Sequence, residues 1–198
     1  MIVAHALASS LADAARARAA GAAWAESDGF RAFHAATVRP LWAFLRASCG
    51  NPALAEDLAQ ESWLRLLGAG IGDIPDAERR AYLYRIAVNL LRDHWRSRRR
   101  APEPLTLAEG DGAGDAGAAP LPGAGLDVRR ALGRLGPRER QLLWLAHVEG
   151  FSHREVARIL GLGAASVRVL LFRARRRLAT ELGTHAPAGE ARPREASP

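Results

Sequence analysis

Hydrophobic residues recur every three or four positions along two stretches of the chain, residues 27–100 and 127–183. This spacing places them on one side of an α-helix, whereas a half-buried strand would alternate apolar and polar residues. We find no stretch with that alternation in the sequence. The pattern therefore predicts an all-α protein built from two small helical domains.

The segments outside these two stretches differ in composition. Residues 101–126 contain four acidic and no basic residues among many Gly, Ala and Pro, so we predict a flexible acidic linker there. Residues 1–26 form an Ala/Arg-rich N-terminal arm, compatible with a frayed helix, a disordered arm or a start site placed too early. Residues 184–198 are rich in Pro and Ala, and we expect a disordered tail.

The second helical stretch carries start and stop signals for four helices. Asp127 is placed to cap the first helix, and Pro137 is placed to begin the second. Gly150 ends that helix, and Ser152 with Glu155 forms a capping box for the third. The sequence therefore predicts a four-helix domain.

The last two helices of this domain have the pattern of a helix-turn-helix. Ala157 supplies a small residue at the helix crossing, Gly161 the turn, and Val167 an anchor in the second helix. In this motif the second helix lies in the major groove of DNA. Its outward-facing residues, our candidates for DNA contact, are Ser166, Arg168, Val169, Phe172, Arg173 and Arg176.

The chemistry of this face suits base recognition. Arg168 can form two hydrogen bonds with a guanine edge, and Val169 and Phe172 can contact thymine methyl groups. We expect the arginines at 175–177 to contact phosphates, which adds affinity without sequence preference. The alternative is a solvated basic face in an ordinary helical bundle, but the capping box, turn glycine and anchor together favour DNA binding.

Polar residues also line one face of a helix in the first domain. Asn51 and Pro52 begin this helix, and its apolar side contains Leu54, Leu58 and later Leu and Trp residues. The polar residues of the opposite face are Asp57, Gln60, Glu61 and Arg65. Such a face can simply be solvated, with a Glu–Arg pair worth about 0.2–0.5 kcal/mol, or it can dock another protein.

The next helix, for which Asp76 is the predicted cap, has a polar stripe between two apolar ones. The apolar stripes consist of Leu83, Ile86, Ala87 and Leu90, and of Tyr84, Val88, Leu91 and Trp95. The polar stripe consists of Tyr82, Arg85, Asn89, Arg92 and Arg96. An aromatic ring, an amide and three guanidinium groups suit a strand of exposed bases and phosphates. A half-buried helix with a basic end is the alternative.

Composition narrows the class of protein. The net charge is +7 and all 28 basic residues are arginine, which favours an anionic partner. The single cysteine excludes an internal disulfide, and the six histidines show no metal-binding spacing, so we predict no metal, no cofactor and no catalytic residue. No apolar run is long enough for a membrane helix, and we expect a cytoplasmic protein without membrane insertion.

Three segments together carry a family resemblance. They are "AEDLAQESWLRLL", "RAYLYRIAVNLLRDHWRSRRR" and, after the acidic linker, "LGRLGPRERQLLWLAHVEGFSHREVARILGLGAASVRVLLFRARRRL". Over about residues 28–183, their order and spacing resemble a bacterial sigma factor of the extracytoplasmic-function (ECF) group. The resemblance implies that residues 27–100 are sigma region 2 and that residues 127–183 are sigma region 4.

The resemblance also implies a function for each face. Region 2 of the family binds the clamp helices of core RNA polymerase, recognises the −10 promoter element and promotes its melting, while region 4 recognises the −35 element. The Asp57–Arg65 face would then dock on the polymerase, and the Tyr82–Arg96 stripe would lie at the −10 strand. The loop from Gly68 to Pro75 would hold an unstacked −10 base, and the acidic linker would enter the polymerase channel. The family further implies an anti-sigma factor as partner.

Two departures from the family pattern and two competing functions accompany this interpretation. In the last helix, Val169 replaces a polar residue and Leu170 an arginine of the usual pattern, so we expect an altered −35 preference or a greater dependence on DNA shape. The first helix, "FRAFHAATVRPLWAFLRASC", and the Ala-rich arm before it match the family only loosely. A stand-alone helix-turn-helix regulator would bind promoters without polymerase. A protein of anionic membranes is supported by charge alone.

Overall fold

The structure is a computed structural model that describes residue 15 and residues 19–71, 74–100 and 125–183. Within these ranges every regular element is helical, which confirms the predicted all-α class. The α-helices are α1 (Asp28–Cys49), α2 (Pro52–Gly68), α3 (Asp76–Arg100), α4 (Leu126–Arg134), α5 (Pro137–Leu143), α6 (His153–Leu160) and α7 (Ala164–Gly183). Most of the predicted linker and the predicted tail lie outside the described residues.

Helices α1 to α3 pack on one another to form the first domain. The predicted start of α2 is confirmed, because the Asn51 side chain accepts a hydrogen bond from the Leu54 amide at 3.1 Å and Pro52 is the first helical residue. The predicted cap of α3 is wrong, since Asp76 lies inside the first turn and forms an ion pair with Arg79. An acidic side chain still favours this turn through the helix dipole.

Helices α4 to α7 form the second domain, and its local signals mostly act as predicted. Ser152 and Glu155 form the capping box, with the Ser152 amide 2.8 Å from the Glu155 carboxylate, and this bonding lowers the pKa of Glu155. Gly161 ends α6 with a φ of 62°, a conformation that glycine adopts without strain. Gly125, rather than Asp127, occupies the cap position of α4. A π-helical turn, Trp144–Val148, follows α5 and was not predicted.

The two domains pack against each other through α3 and α6 and through α1 and α5. The Tyr84 ring of α3 lies between Phe44 of α1 and Phe151, at centroid distances of 5.3 and 5.1 Å. Arg80 of α3 donates a hydrogen bond to the Glu149 carboxylate at 2.5 Å and another to its carbonyl at 3.0 Å. Buried residues of both domains therefore belong to one continuous hydrophobic core.

The buried Arg140 was not identified from the sequence. Its guanidinium group donates to the carbonyls of Leu132, Gly133 and Leu135 at the end of α4, and to the carbonyl of Ala47 in α1 at 2.7 Å. Burial lowers its pKa, but the carbonyls compensate for the lost water. This arginine therefore ties the end of α4 to the first domain.

The described part of the N-terminal arm is also packed against the first domain. Residues 19–25 are helical, Gly21 is buried, and Trp24 packs against the core. The Trp24 ring lies 5.0 Å from Phe30 and 5.7 Å from Phe33. The folded region thus begins before residue 27, the boundary that hydrophobic spacing indicated.

Candidate nucleic-acid interface

The helix-turn-helix is formed by α6 and α7. Val167, Leu171 and Ala174 of α7 are fully buried against the rest of the second domain, and Ala157 of α6 is buried beside them. Because these anchors occupy one side of α7, the opposite side faces solvent. All six predicted contact residues of this face are exposed: Ser166, Arg168, Val169, Phe172, Arg173 and Arg176.

Two of these exposed residues are apolar. Val169 is 50% exposed and Phe172 is 58% exposed, although side chains of this kind are usually buried. They stand beside Arg168 and Arg173 on the α7 face. This combination offers both hydrogen-bond donors and methyl-contacting surface to the edges of base pairs.

The arginines at the end of α7 are partly engaged within the domain. Arg175 donates to the His147 ring at 3.1 Å, and Arg177 lies 3.4 Å from the Glu139 carboxylate. Burial, followed by the charge of Arg175, lowers the pKa of His147, which keeps the ring neutral as an acceptor. Phosphate contact by Arg175 or Arg177 would therefore compete with an existing partner.

The polar stripe of α3 is organised by contacts between its own members. The Arg85 guanidinium stacks on the Tyr82 ring with its carbon 4.7 Å from the ring centroid. Asn89 accepts a hydrogen bond from Arg92 at 3.3 Å, and Arg96 lies 3.8 Å from Asp93. Four of the five residues are exposed, whereas Tyr82 is half-buried against the core.

The α3 stripe also touches the second domain. Arg92 donates to the carbonyl of Leu160, at the end of α6, over 3.1 Å. Two residues before the stripe begins, Arg80 contacts Glu149, whose side chain is only 3% exposed and also accepts from the Trp144 indole at 2.9 Å. Burial, followed by the Glu149 charge, raises the pKa of Tyr84, so this tyrosine stays neutral. These interdomain contacts have no signature in the local sequence, because their partners lie about seventy positions apart.

The candidate docking face of α2 is polar with one apolar exception. Asp57 and Gln60 are exposed, and Arg65 forms the expected ion pair with Glu61 at 2.7 Å. Leu64 is 65% exposed, whereas the later Leu66 is buried on the apolar side. Single exposed leucines are common on protein surfaces, so Leu64 does not by itself mark a docking site.

The described residues include all three candidate faces but not the whole of the predicted base-holding loop. The side chains of the three predicted residue sets are all described, but Gly72 and Asp73 of the predicted base-holding loop lie outside the described residues. Among the residues that the structure describes, no cluster of His, Cys, Asp or Glu could hold a metal ion. Within the same ranges, no helix is long and apolar enough to cross a membrane.

Family comparisons define the class of protein first. Residues 33–101 match the family model for Sigma-70 region 2, and residues 125–178 match the one for Sigma-70 region 4. The first match contains most of α1 and all of α2 and α3, and the second contains the helix-turn-helix. Two regions of one class of transcription factor therefore coincide with the two helical domains.

Curated relatives then define the family. The chain is 33% identical over 159 residues to the ECF RNA polymerase sigma factor EcfG of Rhodopseudomonas palustris, covering 79% of this chain and 86% of that protein. It is 35% identical over 138 residues to the probable ECF RNA polymerase sigma factor SigI of Mycobacterium tuberculosis, covering 65% of this chain. That alignment spans about half of the relative, 47% of its length. The chain belongs to the ECF family of RNA polymerase sigma factors.

Solved structures show the same fold. The sigma factor RpoE of Bartonella quintana, in complex with the anti-sigma factor NepR, matches with a TM-score of 0.59 at 21% identity, covering 81% of this chain and 100% of that one. CnrH, in complex with the cytosolic domain of CnrY, also matches with a TM-score of 0.59, at 23% identity, covering 86% of this chain and 99% of that one. Similarity at this level supports the helical architecture.

Proposed function

We propose that this chain is a dissociable specificity subunit that binds core RNA polymerase, recognises −35 and −10 promoter elements, promotes melting and directs transcription initiation. The observation that carries the proposal is the pair of exposed basic faces on α3 and α7, one in each sigma region. The subunit has no catalysis of its own, acts in the cytoplasm, and needs no cofactor or metal.

The −35 element is assigned to α7. Its exposed face combines Arg168 and Arg173 with the apolar Val169 and Phe172, while buried anchors fix its orientation. The N-terminal residues of such a helix contact base edges in the major groove, whereas Arg176, further along, suits a phosphate.

The −10 element is assigned to the stripe of α3. Stacked Tyr82 and Arg85 offer flat surfaces to unpaired bases, and Asn89, Arg92 and Arg96 offer donors to bases and phosphates. Because an exposed base can only be held after the duplex opens, binding here favours the melted state.

Core RNA polymerase is assigned to the α2 face formed by Asp57, Gln60, Glu61 and Arg65. Leu64, 65% exposed, adds apolar surface beside these polar residues. An anti-sigma factor is a further partner, supported by the solved relatives whose complexes contain one.

Simultaneous recognition of both elements requires the domains to separate. The centres of the −35 and −10 elements are about 25 base pairs apart, which is about 85 Å at about 3.4 Å per base pair. In the structure, a guanidinium nitrogen of Arg92 in the α3 stripe lies 3.1 Å from the carbonyl oxygen of Leu160, at the end of α6. The chain between α3 and α4, residues 101–125, has a contour length of about 85 Å, so covalent geometry permits the opening. The closed form is therefore a state that precedes promoter binding.

Run-off transcription on a genomic fragment library tests the proposal. Purified core RNA polymerase with and without this chain is the comparison, and transcripts that start at defined promoters only with the chain are expected. A sequence-specific footprint from the chain alone, without stimulation of polymerase, would contradict the proposal and support a stand-alone regulator.

A further inference from the structure

The helical segment at residues 19–25 lies outside both family matches, the first of which begins at residue 33. It nevertheless contacts the first domain at two separate points. One contact is at the end of α2, and the other is in the first turn of α3. The −10 stripe begins at Tyr82, one turn after that second contact.

The first contact depends on a glycine. A Cβ atom at Gly21 would lie 2.3 Å from the carbonyl oxygen of Leu67 and 3.4 Å from the Cα atom of Gly70. Both neighbours are backbone atoms, so a side chain here could not be accommodated by a rotamer change. Gly70 itself has a φ of 58°, a conformation that glycine adopts without strain.

The second contact is a cation–π interaction. The Arg79 guanidinium carbon lies 4.4 Å from the centroid of the Trp24 ring and 5.7 Å from that of Phe33. Arg79 is 5% exposed and also forms an ion pair with Asp76. A buried charge held in this way restricts the orientation of the first turn of α3, because moving it would remove its partners.

We infer that Gly21 and Trp24 are positioning residues for recognition of the −10 element. By contacting the end of α2 and the first turn of α3 together, they set how α3 leaves α2, and therefore how its polar stripe is presented to the unpaired strand. This inference rests on the proposed function of α3. Neither residue contacts DNA in this role; both act through the orientation of α3.

The variants Gly21→Ala and Trp24→Ala test the inference in the full chain. Gly29→Ala is a matched control for the first, because Gly29 is also helical and a Cβ there would meet only the Ser27 hydroxyl oxygen, at an ordinary contact distance of 3.5 Å. Trp24→Phe is the conservative control for the second, since a phenyl ring retains a face for Arg79. Melting temperature establishes that each variant is folded under the assay conditions.

The measurement is transcription by reconstituted holoenzyme from promoter libraries randomised at either the −10 or the −35 element. We expect Gly21→Ala and Trp24→Ala to lower discrimination among −10 sequences about tenfold, with unchanged −35 discrimination and unchanged affinity for core polymerase. Gly29→Ala should match the wild type, and Trp24→Phe should retain most of the preference.

Equal losses at both elements, or an unchanged −10 preference, would overturn the inference and leave the segment a stabilising contact. A wild-type holoenzyme without any −10 preference would instead overturn the proposed function of α3, and the inference with it.

Discussion

The α3 and α7 faces assigned to promoter DNA differ in what else their helices do. Helix α7 buries one side in its own domain and leaves the other to solvent. Helix α3 buries two stripes, contacts both domains through Tyr84 and Arg80, and has one stripe member bonded to the second domain. A change on α7 can therefore affect DNA binding alone, whereas a change on α3 also affects folding and the relation between domains.

The two tyrosines of the chain provide the largest test of this difference. Tyr84 is fully buried between the domains, so Tyr84→Ala should lower the free energy of unfolding by about 3–5 kcal/mol. Tyr82→Ala is the matched control. Because Tyr82 is only half-buried on the same helix, this change should lower the free energy of unfolding much less. Urea unfolding followed by tryptophan fluorescence measures both, and equal losses would show that Tyr84 does not support the shared core.

Arg168→Ala should affect DNA binding without affecting folding. Loss of two hydrogen bonds to a base should cost about 1–3 kcal/mol and relax preference at one −35 position. Arg176→Ala is the control, because loss of a phosphate contact should weaken binding at all sequences and reduce the salt slope by about one. An unchanged −35 preference in Arg168→Ala would remove the assignment of this face.

Arg80→Ala tests whether the interdomain contact opposes opening. Removing charged hydrogen bonds worth about 1.5 kcal/mol should favour the open form roughly tenfold. The radius of gyration in solution should rise, and core polymerase should bind more tightly because less free energy is spent on opening.

Glu181→Gln is the control for Arg80→Ala, since Glu181 pairs with Arg134 inside the second domain at 3.7 Å. Glu181→Gln should leave the radius of gyration and the affinity for core polymerase unchanged. Equal or weaker polymerase binding by Arg80→Ala would mean that opening is not limiting.

Asn89→Ala should have the smallest effect of the four, about 1 kcal/mol on recognition of the −10 element. The contact between Arg85 and the Tyr82 ring does not involve Asn89, so the rest of the stripe should stay in place. Permanganate reactivity of the melted strand measures the effect, with −35 binding by the same variant as the internal control. Normal open-complex formation would show that Asn89 is not part of the −10 site.

Local sequence determined the helices and the exposed face of α7. Asn51, the Ser152–Glu155 box and Gly161 act within a few residues of themselves, so their effect is visible without knowledge of the fold. The spacing of apolar residues in α7 likewise implied which side would be exposed, because one domain buries the other side.

Tertiary structure decided which surfaces of α3 meet which partner, where residues 19–25 pack, and why Arg79, Arg80 and Arg140 are held inside. Each of these depends on contacts between residues far apart in the chain, such as Arg140 with Ala47 and Arg80 with Glu149. An arginine looks the same in a sequence whether it faces phosphate or a buried carbonyl. Its surroundings become known only when distant helices are brought together, and those surroundings determine whether its charge serves DNA or the fold.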